Sequence, residues 1–395
     1  MRRMILSLLI GTLLLSGCTQ AEEDVYQTSD TTDFTAVVTS DLHFTVNVDS
    51  SDAVVPAEPY ASEFMEAFVN QVIAIHPDVF IMTGDNTNSG SDSDEAALSV
   101  ILKRVKDAGI PIVMTTGNHD YDFSDAETYE KNFGDLLDMD EKDSSSLSYV
   151  KRIGDVTLLA MDDGAEDQGK TPVFSDETMK WLKKELEAAS SRNDKILFLA
   201  HRSVLYKRGD SRYDSYHIQN KGLYDLLVKY HVQLVLSGHQ HHFSILNKDS
   251  LHEIISGMPL ADNHRFGVLS IKGKQVDYAT EKIDFDTYGT KQCVSDMSAA
   301  DQQAAQNQKE TIDGLLQAYV NDPMYAQAEN LLSSIFISLY DGSLSSKVAQ
   351  FTSDPAFALV QKALADTNYG PWLNDLLKNP PADPNHLSFV WQDGR

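Results

Sequence analysis

Phe34-Thr35-Ala36-Val37-Val38-Thr39-Ser40-Asp41-Leu42-His43 is an apolar, β-branched run that ends in an acid and a histidine. The run predicts a buried β-strand. The same device recurs along the chain. Val79-Phe80-Ile81-Met82 leads into Gly84-Asp85, and Ile110 to Met114 leads into Gly117-Asn118-His119-Asp120. Ile196-Leu197-Phe198-Leu199 leads into His201, and Val232 to Leu236 leads into Gly238-His239-Gln240-His241. An isolated histidine at a strand end is more often structural than a ligand. Five such blocks in one chain are a different matter, because carboxylate, amide oxygen and neutral imidazole are the donors that borderline divalent ions take. Asp41 and His43, two apart, would face the same way in an extended segment. Asp85 has a carboxylate that can bridge two ions. Asn118 can ligate through its amide oxygen without adding charge.

Helices fill the gaps between these strands. Ala61 to Ile75, Glu95 to Asp107 and Asp176 to Ser190 carry apolar residues at helical spacing. Ser148 to Ile153 and Asp155 to Asp162 read as a strand pair joined at Gly154, and further strands lie near Glu253 and from Gly267 to Ala279. Parallel units followed by antiparallel strands predict an α/β fold of two sheets clad by helices. From about Tyr288 the pattern turns helical, over Met297 to Tyr319, Met324 to Tyr340, Ser345 to Phe351 and Ala356 to Ala365. The expected organisation is a leader at 1–17, an acidic tether at 18–33, a catalytic domain at 34–286 and a carboxy-terminal helical domain at 287–395. Pro380-Pro381 and the tail Asp393-Gly394-Arg395 read as loose.

The leader has a basic start, Met1-Arg2-Arg3, and an apolar stretch from Ile5 to Leu15 that is too short for a stable membrane span. Leu15-Ser16-Gly17-Cys18 has the form of a bacterial lipobox, which predicts lipidation of Cys18 and an extracytoplasmic, lipid-anchored protein at the bacterial cell membrane. Only Cys293 then remains, so an internal disulfide is not expected. Removing residues 1–17 deletes Arg2 and Arg3 and no acid, so the net charge moves from −27 to −29. Such an acidic chain is not built to bind polymeric nucleic acid, which needs clustered cations. Anionic substrates would approach only where bound cations reverse the local field.

Taken together, Asp41-x-His43, Gly84-Asp85, Gly117-Asn118-His119-Asp120, His201 and Gly238-His239-x-His241 resemble the calcineurin-like metallophosphoesterases over about residues 34 to 284. The resemblance implies the αββα form of the two-sheet fold, with both mixed sheets packed as a sandwich between helices. It implies one ion held by Asp41, His43, Asp85 and His241, and a second held by Asp85, Asn118, His201 and His239. The ions would be divalent or trivalent manganese, iron or zinc, with a bridging hydroxide as nucleophile. His119 would then serve as general acid, with Asp120 next to it to orient it or keep it protonated. Arg202 and His264 are candidate substrate contacts.

Among the relatives, the bacterial class III cyclic nucleotide phosphodiesterases are the most similar in their compact Asp-x-His start and appended helices. They imply a small phosphate diester, such as a cyclic nucleotide, as substrate. A phosphomonoesterase or nucleotidase on the same fold is the alternative. Purple acid phosphatases are disfavoured, since Asn88 stands where that family carries a tyrosine ligand. A third reading, from another class, is a lipid-anchored binding protein with a residual metal site. The sequence is silent on oligomeric state.

Overall fold

A computed structural model describes residues 33–46, 48, 53, 55–162, 172–205, 216–261, 263–380 and 382–393. The leader, the tether and Cys18 lie outside the described residues.

The first sheet is built on three parallel strands, β1 (Phe34–Thr39), β2 (Val79–Thr83) and β3 (Ile112–Thr115). β11 (Arg265–Lys272) pairs antiparallel with β1, followed outward by β12 (Gln275–Lys282) and β13 (His386–Val390). The second sheet runs in the order β4 (Glu141–Lys142), β5 (Tyr149–Ile153), β6 (Val156–Ala160), β7 (Lys195–Leu199), β8 (Leu234–Ser237), β10 (Leu251–Ile255) and β9 (Ser244–Lys248). Its centre, from β6 through β7 and β8 to β10, is parallel.

Alternation along the strands decides what each face meets. In β1, Phe34, Ala36 and Val38 turn inward onto Leu158, Leu197 and Leu236 of the second sheet. Val37 turns outward with Phe80, Met82 and Met114, against α1 (Ala61–Ile75) and α2 (Asp92–Asp107), which offer Phe64, Phe68, Leu98 and Leu102. The outer face of the second sheet is covered by α4 (Asp176–Ser191) and α5 (Leu223–Lys229). The result is the expected sandwich of two mixed sheets between helices. A short α3 (Ala126–Phe133) follows the third motif, capped by Asp125, whose carboxylate accepts from Thr128 N at 2.8 Å.

After β12 come α6 (Phe285–Tyr288) and α7 (Lys291–Leu316), then α8 (Tyr325–Tyr340), α9 (Leu344–Ser353), α10 (Phe357–Leu364) and α11 (Tyr369–Lys378). α7 joins two cores. Its first turns bury Cys293, Met297 and Ala300 under α1, and its last turn buries Ile312 and Leu316 among α8 to α11. Between them nearly every residue from Asp301 to Thr311 is exposed, which is the composition of a helix bridging through solvent. α11 escapes the sequence pattern because it contains Pro371. That residue sits in the first helical turn, where no backbone N–H is required. The chain does not trail off after Pro380. β13 returns to the first sheet and pairs Phe389 with Val276. No helix among the described residues is long and apolar enough to cross a membrane.

Candidate metal centre

Beyond β1 and β2 the two loops stay zipped together. Asp41 N donates to Gly84 O at 3.0 Å, His43 N to Asp85 O at 3.0 Å and Phe44 N to Asn86 O at 3.1 Å. The backbone here is not extended, contrary to the expectation that Asp41 and His43 face one way because a strand continues. Both have left-handed φ values, 50° and 43°, as do Asp85, His239 and His241. Asp and His tolerate this region better than branched residues, at a cost of about 1 kcal/mol or more each. Turns rather than strand pleats aim these side chains.

They converge in two groups that share Asp85. In the first, the ligand atoms of Asp41, His43, Asp85 and His241 all lie within 4.8 Å of one another. His43 Nε2 is 3.0 Å from His241 Nε2, and His241 Nε2 is 3.4 Å from Asp41 Oδ1. In the second group, His201 Nε2 is 3.0 Å from His239 Nδ1 and 3.0 Å from Asp85 Oδ2. Asn118 Oδ1 is buried without a hydrogen-bond partner, and so is Asp85 Oδ2. Buried acceptors with no donor, and imidazole nitrogens facing each other, are costly in a site meant to hold only protein. They fit metal ions, because a cation satisfies all of these lone pairs together.

The tautomers agree. His201 Nδ1–H donates to Thr83 O at 2.9 Å, and His43 Nδ1–H donates to Asn88 Oδ1 at 3.3 Å. Each bond leaves Nε2 as the lone-pair nitrogen. Asn88 is itself held by Glu58, through Nδ2 to Oε1 at 2.9 Å. Burial lowers the pKa of His43 to about 4 and also lowers those of His239 and His241, so these rings are neutral donors. Burial pushes the Asp41 carboxyl up to about 7, and the nearby Asp85 charge adds to the rise. Burial alone would push Asp85 up as well, but the surrounding histidines, His201 first, hold it well below the usual range. Two carboxylates crowded together among these histidines form an electrostatic well for cations.

Close approach explains two of the motif glycines. A Cβ on Gly117 would stand 2.3 Å from Asp85 N and 2.3 Å from Asp85 Oδ1. A Cβ on Gly238 would stand 1.9 Å from Ser40 Oγ and 2.4 Å from Asp41 Oδ2.

His119 lies on the rim of the first group, its ring 4.8 Å from that of His43, and its backbone N–H donates to Asp85 Oδ1 at 2.8 Å. Asp120 does not serve it. That carboxylate is fully buried and accepts from Asn86 N (3.2 Å), Thr87 N (2.9 Å), Gly117 N (2.9 Å), Asn86 Nδ2 (3.0 Å) and the Thr87 hydroxyl (3.1 Å). It clamps the loops after β2 and β3 together. The acid beside the His119 ring is Asp122, at 3.2 Å. In a one-turn 3-10 helix, neighbours diverge and residues three apart share a face.

His264 is also placed differently from expectation. Its ring packs against Phe64 and Phe285, and both nitrogens are used, with Pro259 O at 2.8 Å and Asp301 Oδ1 at 3.1 Å. It fastens α7 to the core instead of facing substrate. Arg202 is buried next to His201, and its charge disfavours protonation of His239, so it stands within electrostatic reach of the second group.

Three residues that sequence reading passed over support the site. Asp162 accepts from Thr116 Oγ1 at 2.7 Å and from the Tyr121 hydroxyl at 3.3 Å, which braces the third motif against the second sheet. Glu253, fully buried in β10, accepts from Ser203 Oγ (2.8 Å), Val204 N (3.0 Å), Leu205 N (2.7 Å) and Ser237 Oγ (2.7 Å). It therefore pins the loop after His201 to the end of β8. A Glu facing the core among Leu251, Ile254 and Ile255 was the available signal. Tyr216 puts its ring 5.0 Å from that of His239, and nothing in its loop sequence marks it.

The chain belongs to the calcineurin-like phosphoesterase family, whose model matches residues 34–243, more than half its length. It is 25% identical over 179 residues to a protein of Vesicomyosocius okutanii described as a probable cyclic nucleotide phosphodiesterase, covering 45% of this chain and 68% of that one. Its fold is similar to that of a dimetal phosphatase from Danio rerio, with a TM-score of 0.50 at 13% identity over 64% of this chain and 96% of the other. A purple acid phosphatase from yellow lupin superimposes with a TM-score of 0.44 at 13% identity, over 64% of this chain and 52% of that one. The family acts on phosphate esters, and the protein is a hydrolase of that class.

Proposed function

We propose that this protein is a two-metal phosphodiesterase that cleaves small diesters such as cyclic nucleotides outside the bacterial membrane. The observation that carries the reading is the pair of ligand groups joined at Asp85, with His119 hydrogen-bonded through its backbone to the same carboxylate. Asp41, His43, Asp85 and His241 would hold one ion, and Asp85, Asn118, His201 and His239 the other. Imidazole, carboxylate and amide donors suit manganese, iron or zinc. Bound ions would supply positive charge for the phosphate oxyanion and lower the pKa of a water for attack near neutral pH.

The protein's own residues do the rest. Asp120 and Asp162 hold the Gly117–Tyr121 turn in place, so His119 is presented at a fixed height over the first group. His119 is partly exposed, as a group that meets substrate must be. A diester with a sugar leaving group needs a proton on the departing oxygen, and His119 is placed to give it. Arg202 adds a buried positive charge near the second group, suited to a phosphate oxygen. The curated relative's description supports a cyclic nucleotide as the diester. The Leu15-Ser16-Gly17-Cys18 motif supports lipid anchoring through Cys18.

The decisive assay is turnover of bis(p-nitrophenyl) phosphate and p-nitrophenyl phosphate by manganese-loaded protein. A preference for the diester, lost in Asp85→Ala, supports the proposal; a preference for the monoester moves the reading to a phosphomonoesterase. Wild-type protein that binds no metal and matches Asp85→Ala would leave a binding protein with a retired site. Membrane fractionation of wild type and Cys18→Ala tests the anchor: an unchanged distribution would refute it.

A further inference from the structure

His119 is flanked by two acids, and they have opposite duties. Asp120 is occupied by backbone amides and lies beneath the turn. Asp122 follows three residues after His119, at the C-terminal cap of the 3-10 turn His119–Tyr121, and its Oδ2 is 3.2 Å from His119 Nδ1. The Asn88 carbonyl oxygen is 3.1 Å from the same nitrogen. Both neighbours are acceptors, so Nδ1 must carry the proton and Nε2 is the nitrogen left for chemistry. Asn88 also accepts from His43 through its side chain, so one residue braces a metal ligand with Oδ1 and the acid with its carbonyl.

We infer that Asp122 is the positioning residue for His119: it holds the Nδ1–H form and the ring rotation that direct Nε2 at the leaving-group oxygen. The inference rests on the phosphodiesterase reading for its chemistry, though not for its geometry. In the cleavage step the oxygen of the attacking water forms a new bond to phosphorus while the P–O ester bond breaks, and the electron pair of the broken bond goes to the departing alkoxide. The proton on His119 Nε2 passes to that oxygen. The ring is left neutral with Nδ1–H still bonded to Asp122 and to Asn88 O. The proton lost by the attacking water returns to solvent and balances the one the ring later regains.

The test compares Asp122→Asn with wild type in two measurements. The first is kcat on a 2′,3′-cyclic nucleotide, which expels a sugar alkoxide, against kcat on bis(p-nitrophenyl) phosphate, which expels a phenolate needing little protonation. The variant is expected to lose at least ~10-fold more on the alkoxide substrate, with KM little changed, since general acids contribute about 10²–10⁴-fold. The second uses metal-free, ¹⁵N-labelled protein. The His119 Nδ1 resonance should report Nδ1–H in wild type and move in Asp122→Asn as the ring samples the other tautomer. Equal losses on both substrates, or an unchanged His119 spectrum, overturn the inference. Asp122 is half exposed, so its amide replacement should leave the melting temperature unaltered, and a loss of fold would count against a purely positioning role. Wild-type protein inactive on both esters would refute the phosphodiesterase reading, while the tautomer measurement still decides the Asp122 contact.

Discussion

Two motif glycines offer a way to take the metal centre apart one ion at a time. An alanine Cβ at Gly117 would sit 2.3 Å from both the backbone nitrogen and Oδ1 of Asp85. Real Cβ atoms do not come closer than 3.0 Å, so Asp85 must retreat by most of an ångström, and a backbone atom cannot swing aside. Metal sites tolerate ligand errors of about 0.2 Å. Asp85 belongs to both groups, so Gly117→Ala should cost both ions, each by at least ~100-fold in affinity, or about 3 kcal/mol. At Gly238 the clash falls on Ser40 and Asp41 Oδ2, at 1.9 and 2.4 Å. Asp41 belongs to the first group alone. Gly238→Ala should therefore weaken one ion and spare the other. The assay is metal content by mass spectrometry after dialysis against a fixed free-metal concentration, with urea melts to confirm folding. Expected contents are about two ions per chain for wild type, one for Gly238→Ala and none for Gly117→Ala. Folded Gly117→Ala protein with two ions would refute the claim that Asp85 is shared and immovable. Equal losses in both variants would refute the division into two groups.

Three further substitutions probe the support around the site. Glu253→Gln keeps the shape of a buried side chain that receives four donors, but presents an NH2 to some of them. It should cost about 2–4 kcal/mol in urea unfolding, and a change under ~0.5 kcal/mol would show that the loop after His201 is held elsewhere. Glu95 in α2 is buried, and burial pushes its carboxyl from 4.5 up to about 7, with Asp120 and Asp92 as further repulsive charges. The folded state then binds a proton more tightly than the unfolded chain, so this residue's contribution to stability falls as pH rises from about 4.5 through 7. Glu95→Gln should stabilise the protein by roughly 1–3 kcal/mol at pH 8 and have little effect near pH 4.5, as read by melts at the two pH values; a pH-independent difference would contradict this. Gly314 in α7 has open space where a Cβ would go. Gly314→Ala should add about 0.5–1 kcal/mol without altering metal content, and a loss would mean that the bridging helix is not regular there.

The candidate metal ligands could be read from the sequence because buried parallel strands leave few reasons for polarity at their ends. Asp85 after Val79–Met82, and His201 after Ile196–Leu199, have no core to satisfy and no turn to cap. Their conformation could not be read in the same way. Asp41 and His43 look like strand residues, and only the hydrogen bonds to Gly84 O and Asp85 O reveal the left-handed turns. Asp120 and Asp122 are indistinguishable by composition. Which one faces His119 depends on a single 3-10 turn, a local winding that residue type does not fix. His264 has the composition of a pocket residue, yet its partners Pro259 and Asp301 are set by how α7 docks. The helical region was legible through its apolar spacing as far as α10, but not at α11. β13 was not, although His386-Leu387-Ser388-Phe389-Val390 alternates correctly. It is five residues long, follows Pro380-Pro381 and Pro384, and becomes a strand only because β12 offers an open edge.

The place of β1 in the first sheet has a consequence for how the polypeptide is made. β1 is the first element among the described residues, yet it lies in the middle of its sheet, between β2 and β11. Its β11 neighbour begins only at Arg265. During synthesis, β1 to β3 can assemble early, but one full edge of β1 stays open until more than half the chain has emerged. Open strand edges invite pairing with the wrong partner. The first ligand group is likewise incomplete until His241 arrives, 198 residues after His43. Metal therefore cannot nucleate this domain. It can only reward a chain that has already brought its ends together, by closing a loop whose entropic cost is about 5 kcal/mol.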